Sequence, residues 1–183
     1  ILAFGNWAMD FDELWASAGS LPSGYRACVF IQGTGTQYIN SDFVLRSTDS
    51  VRVEVEFTSQ KTHGVFGGRT GTHSQTYVCF LISTRFRYDA NGQVLGTNSV
   101  STGTRYIVHV TPTAATVNGI LDAKIANTQT IFYPCFFLAV NTVGGATYPA
   151  EAKLYQAQIY DATDTLVVDL VPCLNDLGVP GMY

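Results

Sequence analysis

The sequence predicts an all-β protein: a two-sheet antiparallel jelly-roll sandwich carrying a short N-terminal helix. Three observations predict it. From Tyr25 onward, apolar and polar side chains alternate with a period of two, the repeat of a strand with one buried and one solvated face. Turn signals interrupt that alternation about every ten residues. No second helical pattern and no parallel βαβ unit follows residue 20. With 183 residues the chain can bury a core for one such domain.

Residues 1–20 read as a helical connector and 21–183 as the sandwich. Asp10 and Glu13 have the spacing of an N-cap and capping box. Phe11, Leu14, Trp15 and Ala18 recur at helical spacing, and Gly19 is placed to end a helix expected over 10–18. Trp7, Phe11 and Trp15 share one face. That face either caps the sandwich or contacts a partner, namely the rest of a parent protein or a neighbouring subunit. A turn follows at Leu21-Pro22-Ser23-Gly24.

Residues 51–57 alternate valines with Arg52, Glu54 and Glu56, so Glu54 and Glu56 read as a solvated strand face. Residues 105–110 and 114–119 form a predicted hairpin around Thr111-Pro112-Thr113. Residues 153–160 and 166–171 form another around Asp161-Ala162-Thr163-Asp164. The runs 78–82 and 135–140 are apolar on both faces and are expected as central strands. Gly33-Thr34-Gly35, Gly67-Gly68, Asn91-Gly92, Asn118-Gly119 and Gly144-Gly145 read as turns.

Composition narrows the function. Charged residues are 13%, against about a quarter in ordinary domains. Ser, Thr, Asn, Gln and Gly take their place, which suits an exposed glycan-facing or virion surface. The net charge is −4 and no basic run exists, so nucleic acid is not an expected partner. No apolar stretch approaches the roughly 20 residues of a membrane span, so membrane insertion is not expected. The start at Ile1, with no secretory leader pattern, reads as a piece of something longer. Cys28, Cys79, Cys135 and Cys173 each sit in an apolar run and read as buried thiols, while their three disulfide pairings stay open.

Catalytic signatures are missing. A sugar hydrolase needs two carboxylates across one cleft. The jelly-roll glucanases carry a Glu-x-Asp-x-x-Glu strand, but this strand reads Glu54-Val55-Glu56-Phe57-Thr58-Ser59, without the third acid. No Ser-His-Asp order or Gly-x-Ser-x-Gly elbow stands out, so no catalytic residue is assigned. His63, His73 and His109 lack further ligands at zinc spacing, so no metal site is assigned. Asp161 with Asp164, and Asp89 with Asn91, are oxygen-rich but are also ordinary turn sequences. No cofactor is expected; a structural calcium is the one exception they leave open. What remains is loop chemistry suited to sugars, with flat tyrosine faces beside hydrogen-bonding groups. The candidate ligand-binding residues are Arg69 and His73, then Tyr88, Asp89 and Asn91, then Asn141 and Tyr148. The alternative is that these are merely soluble loops.

The stretch LPSGY at 21–25, followed by FIQGTGTQYI at 30–39, resembles the opening of laminin-G-like, concanavalin-A-like jelly-roll domains of gut bacterial surface proteins and their phages. Gly67-Gly68-Arg69 matches a strand end of that family. KLYQAQIYD at 153–161, LVVDLVPC at 166–173 and GVPGMY at 178–183 match its closing signature. Val168 stands where the family usually has Arg, and the family usually continues past the GMY. The resemblance covers 21–183 and implies two antiparallel sheets and a non-catalytic carbohydrate-binding or adhesion role. It implies an extracellular place, on a bacterial surface or in a phage tail or fibre, with cell-surface or mucin-type glycans as partners. The alternative is a structural domain of such an assembly without a glycan ligand; a glycoside hydrolase is a distant third.

Overall fold

The computed structural model describes residues 8–10, 21, 23–71 and 75–183. Among them the chain forms strands and no helix. The expected helix over 10–18, with Trp7, Phe11 and Trp15, lies outside the described residues, apart from Asp10, which ends the first strand.

The strands run in chain order as β1 (Ala8–Asp10), β2 (Tyr25–Ala27), β3 (Phe30–Thr34), β4 (Ile39–Asn40), β5 (Ser50–Phe57) and β6 (His63–Arg69). There follow β7 (Thr76–Ile82), β8 (Arg85–Asp89), β9 (Gln93–Ser99), β10 (Arg105–Val110), β11 (Ala114–Val117) and β12 (Ile120–Lys124). The chain closes with β13 (Phe136–Phe137), β14 (Val140–Thr142), β15 (Gly145–Thr147), β16 (Glu151–Tyr160), β17 (Leu166–Leu170), β18 (Pro172–Asn175) and β19 (Pro180–Met182).

Two large sheets result. The first has the order β1-β3-β16-β5-β10-β11-β12, with β17 also on β16. The second has the order β15-β14-β6-β7-β8-β9, with β13 bridging β4 and β6. A small third sheet, β19-β18-β2, closes one end. Both predicted hairpins form, β10 with β11 and β16 with β17.

Alternation decides which face meets the core. Val51, Val53, Val55 and Phe57 of β5 point inward and are fully buried. They meet Phe66, Tyr77, Cys79, Leu81, Phe86 and Tyr88 of the second sheet in one continuous core. Each large side chain buried this way stabilises the fold by roughly 1.5–3 kcal/mol. Arg52, Glu54 and Glu56 face outward, as their spacing predicts.

Three sequence expectations are corrected. Residues 135–140 are not one central strand. Leu138 takes a left-handed φ of 58° and breaks the run. The chain leaves an antiparallel pairing of Phe136 and Phe137 with β6 and returns as β14, parallel to the same strand. Gly67-Gly68 is not a turn but lies inside β6. Gly67 has a φ of 130°, and a side chain there would collide with the Tyr77 carbonyl. Glycine is needed for close backbone approach, not for reversal. At Gly144-Gly145 the reversal falls one residue earlier, on Val143 and Gly144, both at positive φ. Asn118-Gly119 forms the expected tight turn, with both residues at positive φ.

Cys28, Cys79, Cys135 and Cys173 are buried and unpaired. Burial pushes all four thiols up, Cys28 to about 12 and Cys173 to about 11.

Candidate functional site

The outer face of the first sheet carries a pocket of about 320 Å³, a size typical of ligand sites. Its origin lies in β16. One edge of that ten-residue strand pairs with β5 along its length. The other edge pairs first with β3, through Glu151–Leu154, and then with β17, through Ala157–Tyr160. At the changeover the register slips: Leu154 faces Val55 and Gln156 faces Glu54, leaving Tyr155 as the extra residue of a bulge. Where β3 departs and β17 arrives, the gap is walled by Ala27, Cys28 and Val29 on one side and Val171 and Pro172 on the other.

The bulge turns Tyr155 and Gln156 to the same outer face. The Arg105 guanidinium lies 3.9 Å from the Tyr155 ring centre, a cation–π contact. The Tyr155 hydroxyl donates to Glu56 at 2.9 Å. Burial and that carboxylate push it up to about 12, so it stays a donor at neutral pH. Arg105 Nε meets Glu54 at 2.7 Å, and Lys153 meets Glu56 at 3.1 Å.

A second network joins the lining residues Arg52, Gln156 and Asp169 to the adjacent Gln158. Asp169 Oδ1 accepts the side-chain amides of Gln156 and Gln158, each at 3.0 Å. Their Oε1 atoms both accept from Arg52 Nη1 at 3.1 Å. Gln158 also accepts from the Tyr160 hydroxyl at 2.9 Å. The amides are thus fixed by partners on both ends. The array presents donors and acceptors already aimed, which lowers the ordering cost of binding a polar ligand.

Glu54 and Asp169 both line this pocket, so the geometry bears on hydrolysis. β16 lies between their strands, which sets their backbones about 10 Å or more apart. Glu54 is held by Arg105 and Asp169 by two amides. Both act as acceptors that orient neighbours, an arrangement that suits binding better than proton donation.

The residues singled out in the sequence distribute differently. Arg69 and Tyr148 meet at one end of the second sheet's outer face, and Asn141 does not join them. Arg69 is 5% exposed, its guanidinium 5.6 Å from the ring centres of both Phe80 and Tyr148, and its Nε donates to Thr142 at 2.9 Å. Tyr148 is half exposed and meets Phe80 edge-on. Asn141 is buried and shapes the hairpin: its amide donates to the Pro134 carbonyl and its Oδ1 accepts from the Gly144 N–H. Asp89 is buried on this side and pairs with Arg87, itself 4.7 Å from the Phe80 ring centre. Asn91 is exposed in the β8–β9 turn, accepting from Gln129. Tyr88 points the other way, into the core, where its hydroxyl donates to Asp122 at 2.7 Å. His73 lies outside the described residues.

The two oxygen-rich turns are otherwise engaged. Asp161 Oδ1 accepts from the Thr163 N–H, the Thr163 hydroxyl and the Thr165 N–H. Among the described residues no group of three or more His, Cys, Asp or Glu side chains is placed to hold a metal ion. No described helix is long and apolar enough to cross a membrane.

The pocket residues give no signal one by one, because each alone reads as a polar side chain on a solvated strand face. One signal was available. The inward residues Leu154, Ala157 and Ile159 are spaced three, then two, and that phase slip marks the bulge.

No protein-family model matches the chain, and no curated protein matches it. Solved structures do. The CBM40 of the Ruminococcus gnavus IT-sialidase, bound to α2,3-sialyllactose, superposes with a TM-score of 0.57 at 11% identity, covering 74% of this chain and 90% of that one. A heptameric SAP-like pentraxin from Limulus polyphemus gives a TM-score of 0.52 at 12% identity, covering 75% of this chain and 74% of the other. At these identities the likeness is one of fold: the chain is a β-sandwich of the jelly-roll kind.

Proposed function

We propose that this domain is a non-catalytic carbohydrate-binding module and that the pocket between β5, β16 and β17 is its sugar subsite. The observation that carries the reading is that the pocket-lining side chains Arg52, Gln156 and Asp169 are cross-braced with one another and with the adjacent Gln158. Sugars are recognised by fixed donors and acceptors at hydroxyl spacing, and these side chains are held by one another before any ligand arrives. The fold likeness to a sialyllactose-bound CBM40 is consistent with this use of the scaffold. The resemblance of residues 21–183 to laminin-G-like domains supports a finer reading, an adhesion module on a bacterial surface or phage fibre that faces cell-surface or mucin-type glycans.

The test is a glycan-array screen of the whole chain, followed by calorimetry on the best ligand. Saturable binding that Asp169→Ala abolishes, with the fold intact by circular dichroism, supports the reading. A blank array, or binding indifferent to Asp169, removes it and favours a structural domain without a glycan ligand.

A further inference from the structure

We propose that the pocket selects sugars bearing a carboxylate, and that Arg52 is the group that receives it. This rests on the reading of the pocket as a sugar subsite and names the class of sugar.

The starting point is a charge imbalance between neighbours. Arg105 is met by Glu54, Lys153 by Glu56, Lys61 by Glu151 and Arg87 by Asp89. Arg52 has no carboxylate partner among the described residues. Its Nη1 donates to two neutral carbonyl oxygens, those of Gln156 and Gln158. Its Nε and Nη2 have no hydrogen-bond acceptor among the described residues. A guanidinium in this state offers an unused edge that matches the two oxygens of a carboxylate.

The environment fixes that edge. The two amides cannot flip without turning donors toward Arg52 and abandoning Asp169. Arg52 therefore stays at the pocket wall instead of swinging to Glu54. It is partly buried, so a carboxylate there gains more than at an open surface pair.

Register supplies the second half of the argument. Arg52 on β5, Gln158 on β16 and Asp169 on β17 stand directly opposite one another in a single row. Neighbouring strands are about 4.8 Å apart, which separates the backbones of Arg52 and Asp169 by about 10 Å. One sugar ring with its substituents fits between them. Asp169 spends Oδ1 on the two amides, and its Oδ2 has no partner among the described residues. An acidic sugar would set its carboxylate on the β5 side and its hydroxyls on the β17 side. The reverse orientation would press two carboxylates together.

The experiment compares matched pairs by calorimetry on the whole chain: sialyllactose against lactose, and a hyaluronan tetrasaccharide against its carboxyl-reduced form. The acid member of at least one pair should bind at least about ten-fold tighter, the scale of one charge-assisted hydrogen bond. That preference should fall to about two-fold or less in Arg52→Gln. Arg52→Lys, which keeps the charge without the paired edge, should retain part of it. Which pair responds separates a sialic from a uronic acid. Equal binding of acid and neutral members overturns this proposal and leaves the sugar subsite standing. An acid preference that survives Arg52→Gln in folded protein overturns the assignment to Arg52. No binding in any arm overturns the sugar subsite itself.

Discussion

Tyr88→Phe separates a structural tyrosine from a ligand-binding one. Tyr88 is 1% exposed and sits in the core between the sheets, beside Phe86. Its hydroxyl donates to Asp122 Oδ2 at 2.7 Å, while Asp122 Oδ1 accepts the Asn98 N–H at 2.6 Å and its side-chain amide at 2.8 Å. Asp122 is itself 2% exposed. Removing one oxygen leaves the ring packing in place and strips a buried carboxylate of one donor. Such a loss costs about 2 kcal/mol. For a chain of this length that lowers the melting temperature by about 4–8 °C. At a urea slope of about 2 kcal/mol/M it moves the midpoint by about 1 M. Glycan affinity should hold within about two-fold, because the pocket opens on the outer face of the opposite sheet. Urea denaturation and calorimetry on the same preparation read both. Weakened binding at an unchanged midpoint would refute the reasoning and return Tyr88 to the ligand site.

Three further outcomes follow from buried groups. His63 Nε2 lies 2.9 Å from the Ser59 hydroxyl and 3.2 Å from its carbonyl, while Nδ1 accepts the Glu151 N–H at 3.4 Å. Burial above all holds His63 below its ordinary value, so its neutral form contributes stability above about pH 6.5 that is lost as pH falls through its depressed value. His109 shifts the same way, through burial and then Arg52. Denaturation midpoints should drop between about pH 7 and 5, with a shallower slope in His63→Asn; an unchanged slope would count against a buried, neutral His63. Gly67→Ala should destabilise by about 3 kcal/mol, since the methyl meets backbone and the φ is wrong for alanine; a near-wild-type melting temperature would contradict the β6–β7 geometry. All four thiols should resist a thiol reagent until denaturant is added, and rapid labelling of the native protein would contradict their burial.

Much of the architecture was legible because one physical rule governs it. Alternation at 51–57 alone places Arg52, Glu54 and Glu56 on the outer face. The same rule, applied to Arg85-Phe86-Arg87-Tyr88, would have sent Tyr88 inward with Phe86. Arg69 and Tyr148 belong to separate candidate loops in the sequence, and the fold brings them together. That Arg69 would lie buried between two rings depends on β14 folding back beside β6, a contact that no local pattern encodes. Gly67-Gly68 misled because the reasons for a glycine, reversal or close approach, look alike in sequence. The pocket escaped notice because it is made by a strand exchange along β16, between partners more than a hundred residues apart.

The most direct test of the account is an amide-resolved NMR titration of the whole chain with the tightest glycan from the array. The account predicts shifts concentrated at Arg52, Tyr155, Gln156, Gln158 and Asp169, with the face around Arg69 and Tyr148 unmoved. Shifts confined to Arg69, Thr142 and Tyr148, or scattered without a cluster, would contradict it.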